Sequence, residues 1–425
     1  MARILKYGPY SRVKGPVADF RPMPETHVSG HRPSLLRSRD HRAHVTNVEL
    51  FFDLVFVFAV TQLSHTLLGH LSLAGALQTG FLLLAVWWVW MYTCWFTNWI
   101  DPDRPTVRML MFLLMLAGLL MSAAIPHAFG HEGLLFAIAY SFIQVVRTSF
   151  IVVASRGRDA VVHRNFLRIL TWLAVSAVAW IAGGLMHGAE RALAWVIALS
   201  LEIFGPFTGY FVPGLGRSAT SDWKIDGAHM AERCSLFVII ALGESILVTG
   251  ATAAGQPATP SAVCAFLAAF VGSVAMWWIY FNIGAGRGSR QIAGSADPGR
   301  VARAVYTYFH IPIIAGIVVS AVADEIAIAH PDGHVRLADV LVLLGGPALY
   351  LVGNVFFKRA SAQYYPLSHL VGLGLLALLA PVAARLTPLL LSVATTVILI
   401  LVAGWETRSF ARGPVTSPAS GSPPR

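Results

Sequence analysis

Charged residues are scarce in this chain, and cysteine is scarcer still. Only 12% of the 425 residues are Asp, Glu, Lys or Arg, whereas soluble domains carry about 25%. This shortage excludes an ordinary soluble protein, and a mean hydropathy of +0.65 indicates an integral membrane protein. The three cysteines, Cys94, Cys234 and Cys264, all lie in apolar segments. They argue against a disulfide framework and favour small core residues.

Signatures of catalysis and nucleotide binding are missing as well. The chain has no phosphate-binding loop, no dinucleotide fingerprint, no nucleophile elbow and no cysteine spacing typical of a metal site. We therefore expect no enzymatic activity, no cofactor and no metal. A further reading is an intramembrane enzyme that acts on lipid, but the sequence contains no recognisable set of catalytic residues for it.

Long apolar runs are what the chain has instead. Twelve runs of about 20 residues predict an all-α polytopic membrane protein with about twelve transmembrane helices. The predicted spans are residues 48–68, 73–98, 107–126, 133–154, 166–186, 191–213, 230–250, 260–283, 303–326, 337–357, 366–384 and 388–406.

Lys and Arg are unevenly distributed between the two sides of this predicted arrangement. With the amino terminus inside the cell, most of the 31 Lys and Arg residues fall on cytoplasmic segments, and the outer loops contain only Arg191, Arg336 and Arg385. Because positive loops tend to stay in the cytoplasm, we predict that both termini are cytoplasmic. The net charge of +10 then sets the orientation in the lipid bilayer, and no nucleic-acid partner is expected.

Both ends of the chain are predicted to be disordered cytoplasmic tails. Residues 1–47 are rich in Arg and Pro and have no apolar core like that of a signal peptide. This basic tail either orients the protein or contacts anionic headgroups. The second tail is residues 407–425, and its last dozen residues, 414–425, are of low complexity.

Two stretches in the two halves of the chain resemble each other, residues 49–62 and 232–245. Six predicted spans separate their starts, so both halves enter the membrane in the same direction. This pattern predicts two parallel six-helix repeats, 48–213 and 230–406, joined by a cytoplasmic linker at 214–229. Further correspondences follow in the same order: Trp87-Trp88 with Trp277-Trp278, Arg108 with Arg303, and Tyr140 and Arg147 with Tyr350 and Lys358.

Acidic residues inside apolar spans are the main functional signal, because a bare carboxylate in hydrocarbon is costly. Glu49 and Asp53 share one helix face near the start of the first span. They either cap the helix and pair with basic neighbours, or line a cytoplasmic vestibule for a cation or proton. Glu232 opens the second copy, where it forms a local cluster with His229 and Arg233 at helical spacing.

Glu244 lies near the middle of the seventh span, beside Ser245. At that depth its carboxyl group must be protonated, paired or facing water. Gln62 and His65 form a polar patch in the outer half of the first span. We predict that these four residues contribute to a site within the membrane.

Other ionisable residues of the spans have weaker assignments. Glu202 is also deep, just before a Gly-Pro pair that either opens the backbone at a transport site or makes a passive kink. We expect Arg147 to form a buried ion pair with Glu202 or Glu244, or to reach the interface by snorkelling. Asp324 and Glu325 close the ninth span, where we expect them to face solvent.

The string from Val48 to His65, VELFFDLVFVFAVTQLSH, resembles the signature of the bacterial low temperature requirement A family. The string from Ala231 to Ile246, AERCSLFVIIALGESI, resembles a second part of it, and the likeness runs from about residue 45 to 406. One departure is Cys234-Ser235, where many relatives have an aromatic residue or glycine. The resemblance implies a polytopic bacterial inner-membrane protein linked to growth in the cold, and it implies no particular biochemical activity.

The first span is also similar, more remotely, to a family of lysosomal and bacterial potassium channels. Those channels carry a Phe-Ser-Asp motif in their first helix and are built from six-helix units. Here Phe51 and Asp53 match, Phe52 replaces the serine, and Leu236 replaces the aspartate in the second copy.

Together these features predict a transporter or ion-conducting protein for a cation or proton. Its pathway would run between the two halves, near the first and seventh helices, with Glu49, Asp53 and Glu232 at the cytoplasmic mouth. Glu244, with Gln62 or His65, would provide the polar site within the membrane. The alternative is a non-transporting membrane-homeostasis or scaffold protein, in which the buried acids serve helix packing.

Overall fold

The computed structural model describes residues 35–37, 44–219, 225–282, 303–362 and 364–411, and in them the fold is all-helical. These residues form twelve α-helices, one for each predicted span, and none of them belongs to a strand. The helices are α1 (Asn47–Gly69), α2 (Leu73–Trp99), α3 (Pro105–Ala123), α4 (Gly133–Ser155), α5 (Ala160–Leu185), α6 (Gly188–Phe204), α7 (Gly227–Ala254), α8 (Pro260–Phe281), α9 (His310–Ala329), α10 (Leu337–Ala362), α11 (Leu367–Ala383) and α12 (Pro388–Ala411).

Ten of these helices are long and apolar enough to cross a membrane. The other two, α6 and α11, have 17 residues each and are shorter than the predicted spans. The chain is therefore a membrane protein with many apolar helices. A π-helical turn, Arg303–Tyr308, leads into α9.

Two helix ends differ from the prediction for local reasons. α5 begins at Ala160, earlier than predicted, because the Asp159 carboxylate accepts hydrogen bonds from the first backbone N–H groups at 3.0 Å. α6 ends at Phe204 rather than at 213, because Pro206 cannot donate the hydrogen bond that would continue the helix. The chain then turns, with Tyr210 at a positive φ of 49°.

The tails lie largely outside the described residues. Of residues 1–47, only 35–37 and 44–47 are described, and the backbone of Leu35 and Arg37 pairs with the end of α2 at Trp99 and Asp101. At the other end α12 continues to Ala411, beyond the predicted limit of 406. Residues 412–425 lie outside the described part.

Helix α9 is the most widely shared packing element of the second half. It contacts α1, α7, α8, α10 and α12. Glycines bring α9 and α10 together: a Cβ on Gly353 would lie only 2.7 Å from the backbone nitrogen of Ile313. Small residues that permit such close approach are typical of helix contacts in membranes.

We call the end of the bundle at which α1 begins the near end, and the opposite end the far end. The main apolar core extends from α1 through α10, and it also includes residues of α11 and α12. A second core joins Leu67, at the far end of α1, to Val322, Ala323 and Ile326 of α9. The last turns of α1 and α9 therefore lie together at the far end.

Candidate functional site

The near end of α1 holds a buried charge network that begins with a helix cap. Thr46 and Glu49 form a capping box, in which the Glu49 Oε2 atom accepts from the Thr46 backbone N–H at 2.9 Å and its hydroxyl at 3.0 Å. The Oε1 atom faces α7 instead. It lies 2.9 Å from His229 Nε2 and 3.1 Å from Arg233 Nη1.

Asp53 joins the same network one turn further along α1. Its Oδ1 atom accepts from Arg233 Nη2 at 2.6 Å and from the Trp90 indole N–H at 2.8 Å. Glu49, Asp53, His229 and Arg233 are all 0% exposed. One arginine therefore bridges two carboxylates in the interior, an arrangement that is stable only while every charge keeps its partner.

A second layer of polar residues closes this network at the near end. Arg37 lies 3.2 Å from His229 and donates to the Thr97 carbonyl at 2.8 Å. Asn98 exchanges two hydrogen bonds of 3.0 Å with the backbone of Asp226, just before α7 begins. These hydrogen bonds, with those of Glu49 and Asp53, connect Arg37, α1, α2 and α7.

The predicted cluster of His229, Glu232 and Arg233 is not local. His229 and Arg233 point to the acids of α1, whereas Glu232 lies on the exposed face of α7. The structure thus brings Glu49 and Asp53 together with two basic residues of α7 and leaves Glu232 apart from them.

Aromatic rings fill the interior next to the network. Phe52 and Phe56 of α1 have ring centroids 5.1 Å apart, and Trp90 and Phe237 are 4.3 Å apart. All four side chains are at most 1% exposed. We call these four residues the aromatic plug. Phe56 and Phe237 lie between the near-end network and the polar residues further along α1 and α7, whereas Phe52 and Trp90 lie level with the network.

Glu244 lies beyond the plug and meets α1 at Thr61. Thr61 is about 12 Å from Asp53 along the helix axis, at 1.5 Å per residue. The Thr61 hydroxyl hydrogen-bonds to the Glu244 carboxylate, and its oxygen also lies 3.1 Å from the Val57 carbonyl. Within the described ranges, Thr61 is the only hydrogen-bond partner of Glu244, which is 5% exposed. The neighbouring Ser245 hydroxyl is fully buried and has no partner there.

The other predicted polar residues of α1 lie further toward the far end. Gln62 is half-buried and His65 is exposed. Glu325 of α9 interacts electrostatically with His65, and its Oε2 atom is buried without a hydrogen-bond partner among the described residues. Glu325 and Asp324 are both partly buried, and the expectation that they face solvent stays a prediction.

Glu202 is held in a separate site in the first half. Its Oε2 atom accepts from the Tyr140 hydroxyl at 2.8 Å and from Gln144 at 2.6 Å. Its Oε1 atom accepts from Ser176 at 2.6 Å and from the Trp180 indole at 3.1 Å. Four donors on α4 and α5 therefore satisfy this carboxylate.

Arg147 reaches Glu202 only through Gln144. The guanidinium donates to the Gln144 side-chain oxygen, to Thr93 at 3.0 Å and to the Val89 carbonyl at 3.2 Å. Gln144 in turn donates to Glu202. The two charges share one network, with an amide between them.

The second half has a buried ion pair that the sequence reasoning missed. Lys358 of α10 donates to both oxygens of Glu406 on α12, at 2.6 and 2.7 Å. Both side chains are at most 4% exposed. The sequence contained two signals for this ion pair. Tyr350 and Lys358 match Tyr140 and Arg147, and the last span has one acid, Glu406, near its end.

Comparisons with known proteins agree with the sequence resemblance. Residues 44–404 match the family model described as bacterial low temperature requirement A protein. An uncharacterized protein of Rhizobium meliloti (strain 1021) is 39% identical over 379 residues, which cover 89% of this chain and 93% of that protein. No solved structure matches the chain.

Proposed function

The chain belongs to the bacterial low temperature requirement A family, and on that premise we propose that it transports a proton or small cation across the inner membrane. The pathway would run along the interface of α1 and α7, with Glu244 as the group that binds the transported ion. Glu49, Asp53 and their basic partners would act as the gate at the near end, which would be cytoplasmic.

The single observation that carries this proposal is the environment of Glu244. A buried carboxylate in a membrane needs a partner or water. Glu202 has four donors and Glu406 has a lysine, whereas Glu244 has one hydroxyl among the described residues. A carboxyl group with unused acceptor capacity, deep in a transmembrane helix, is suited to take up a proton or a cation.

The near-end network supports the role of a gate rather than a permanently open pore. Arg233 crosslinks α1 to α7 through Glu49 and Asp53, and the aromatic plug lies next to it. Opening this end requires the ion pairs to separate, whereas in the far half the described residues join α1 to α7 by the Thr61–Glu244 hydrogen bond and by no ion pair. A pathway closed at one end is consistent with alternating access.

We also propose that the two halves are parallel repeats. In α4, Tyr140, Gln144 and Arg147 face a buried Glu202 of α6. In α10, Tyr350, Asn354 and Lys358 follow at similar spacing, and Lys358 pairs with the buried Glu406 of α12. The fourth and sixth helices of each half thus carry related polar networks, which supports a duplication.

The test replaces the Glu244 carboxyl group. In proteoliposomes with an imposed gradient of protons, sodium or potassium, the wild-type protein is expected to carry flux. Glu244→Gln should abolish it, because the amide neither ionises nor takes up a proton, while Glu244→Asp should retain part of it. Glu190→Gln, at an exposed position of α6, is the matched control and should leave flux unchanged.

Folded yield and elution on size exclusion separate loss of transport from misfolding. If Glu244→Gln folds and carries undiminished flux, the transport role of Glu244 is excluded. Absence of flux in the wild type for all three ions would favour the scaffold reading, in which the acids only hold helices together.

The cold-growth role belongs to the same proposal: in a deletion strain the Glu244→Gln variant should fail to restore growth at low temperature.

A further inference from the structure

The second half contains a small cavity between α8, α9, α10 and α12 that the pathway described above does not use. Its volume is about 20 Å³, and one water molecule needs about 10–15 Å³. The cavity therefore has room for a single water molecule or one ion of similar size. All four helices line it, and the lining includes Ser320 and Asp324 of α9, Leu343 and Pro347 of α10, and Thr395 and Thr396 of α12.

Oxygen atoms dominate the polar lining of this cavity. Asp324 is its one acid, and no hydrogen bond or ion pair reaches the Asp324 side chain from the described residues. Ser320, one turn earlier on α9, is 5% exposed, and its hydroxyl has no hydrogen-bond partner in the described part of the chain. Two groups with unused lone pairs therefore meet in a space of about one ion.

The hydroxyls of α12 are oriented by their own hydrogen bonds. Thr395 donates to the Ser392 carbonyl at 2.9 Å, and Thr396 donates to the Ala268 carbonyl at 3.2 Å. Since each hydroxyl has a single hydrogen, these bonds leave the oxygen lone pairs available as acceptors. Ligands fixed in this way suit a cation better than an anion.

Pro347 leaves one backbone carbonyl of α10 without its usual helical donor, and the residue that carries this carbonyl lines the same cavity. Pro347 lies inside α10, and proline has no N–H to donate to the carbonyl four residues earlier. That carbonyl belongs to Leu343, which also lines the cavity. Backbone carbonyls released from helical bonding are a common source of sodium ligands in transporters.

We propose that this cavity binds one dehydrated monovalent cation of sodium's size, with Asp324 as its counter-charge. One carboxylate balances one positive charge, and the remaining donors are neutral oxygens, which hard cations prefer. A transition metal does not fit this donor set, and the described residues contain no group of three or more His, Cys, Asp and Glu side chains that could hold one. The site is independent of Glu244 and of transport.

Thermal unfolding of the purified full-length protein in detergent tests the proposal. NaCl is titrated against choline chloride at constant ionic strength, and the unfolding temperature is followed by tryptophan fluorescence. Because a ligand that binds only the folded state stabilises it by mass action, sodium should raise the unfolding temperature in a saturable way. Asp324→Asn should lose this rise, and Glu190→Gln should keep the wild-type midpoint.

Ser320→Ala keeps the test decisive if Asp324→Asn fails to fold. It removes one ligand oxygen and no charge, so the sodium midpoint should increase roughly tenfold, equivalent to about 1.4 kcal/mol, with little change in choline. Glu244→Gln should keep the sodium shift, which separates this site from the transport proposal. The cation proposal is wrong if sodium has no saturable effect on the wild type, or if Asp324→Asn and Ser320→Ala both keep the wild-type midpoint.

Discussion

At the scale of single residues, the acids of the membrane helices fall into two groups. Glu49, Asp53, Glu202 and Glu406 are held by basic residues or by several hydrogen-bond donors. Glu244, Asp324 and Glu325 have at most one hydrogen-bond partner among the described residues. The first group stabilises contacts between helices, and two acids of the second group, Glu244 and Asp324, carry the binding sites proposed above.

Sequence spacing predicted part of this division. It placed Glu49 with Asp53 on one face and singled out Glu244, but it assigned His229 and Arg233 to a local cluster. Helical spacing shows which residues share a face, whereas the partner across the interface depends on how two helices pack. For the same reason Arg147 was expected to pair with an acid directly, and Gln144 was not considered.

Arg233 is expected to be the most costly single residue to remove from the near-end network. Arg233→Met leaves Glu49 and Asp53 buried without their shared cation, and breaking such a pair costs about 3–5 kcal/mol. Thermal unfolding in detergent should show a clear fall in the unfolding temperature. Adding Asp53→Asn and Glu49→Gln should recover part of the loss.

Arg385→Met is the control for this prediction, because Arg385 is exposed in the turn before α12. It should change the free energy of unfolding by no more than about 0.5 kcal/mol. If Arg233→Met is as mild as Arg385→Met, the ion bridges contribute nothing to the closed near end.

At the scale of helices, apolar run length predicted the number of elements, and local chemistry set their ends. The twelve predicted spans correspond to the twelve helices. Hydropathy alone extended the sixth span through Pro206 and started the fifth too late, because it does not detect a missing N–H or a capping carboxylate. The π-helical turn before α9 also has no signature in hydropathy.

The close contact of α9 with α10 leads to a prediction for two glycines of one helix. Gly353→Ala should destabilise the protein by about 1–3 kcal/mol, because the new Cβ would lie 2.7 Å from the Ile313 backbone nitrogen. Gly345→Ala should be neutral or slightly stabilising, because no atom lies within 4 Å of its Cβ position. Urea or thermal unfolding of the two variants, side by side, checks this. Equal effects would contradict the close packing of α9 on α10.

At the scale of the whole molecule, composition and charge predicted a multi-pass membrane protein, and the twelve-helix fold agrees with it. The repeat of two halves, the cytoplasmic termini and the transport role stay predictions. Sequence could not locate the cavity at Asp324, because its lining comes from four helices that are distant along the chain. Such a site exists only once the helices are packed.

We propose that water reaches the α1–α7 interface in the far half while the near half is sealed. This proposal is tested most directly by reacting single cysteines in proteoliposomes with a charged, membrane-impermeant thiol reagent. The background lacks the native cysteines, and Leu116→Cys, on the exposed face of α3 and 57% exposed, reports a side chain facing lipid.

We expect Thr61→Cys to react. Phe56→Cys, in the aromatic plug, and Leu116→Cys should not react. A Thr61→Cys protein that is folded and as unreactive as Leu116→Cys would show a dry interface around Glu244, and would contradict the pathway.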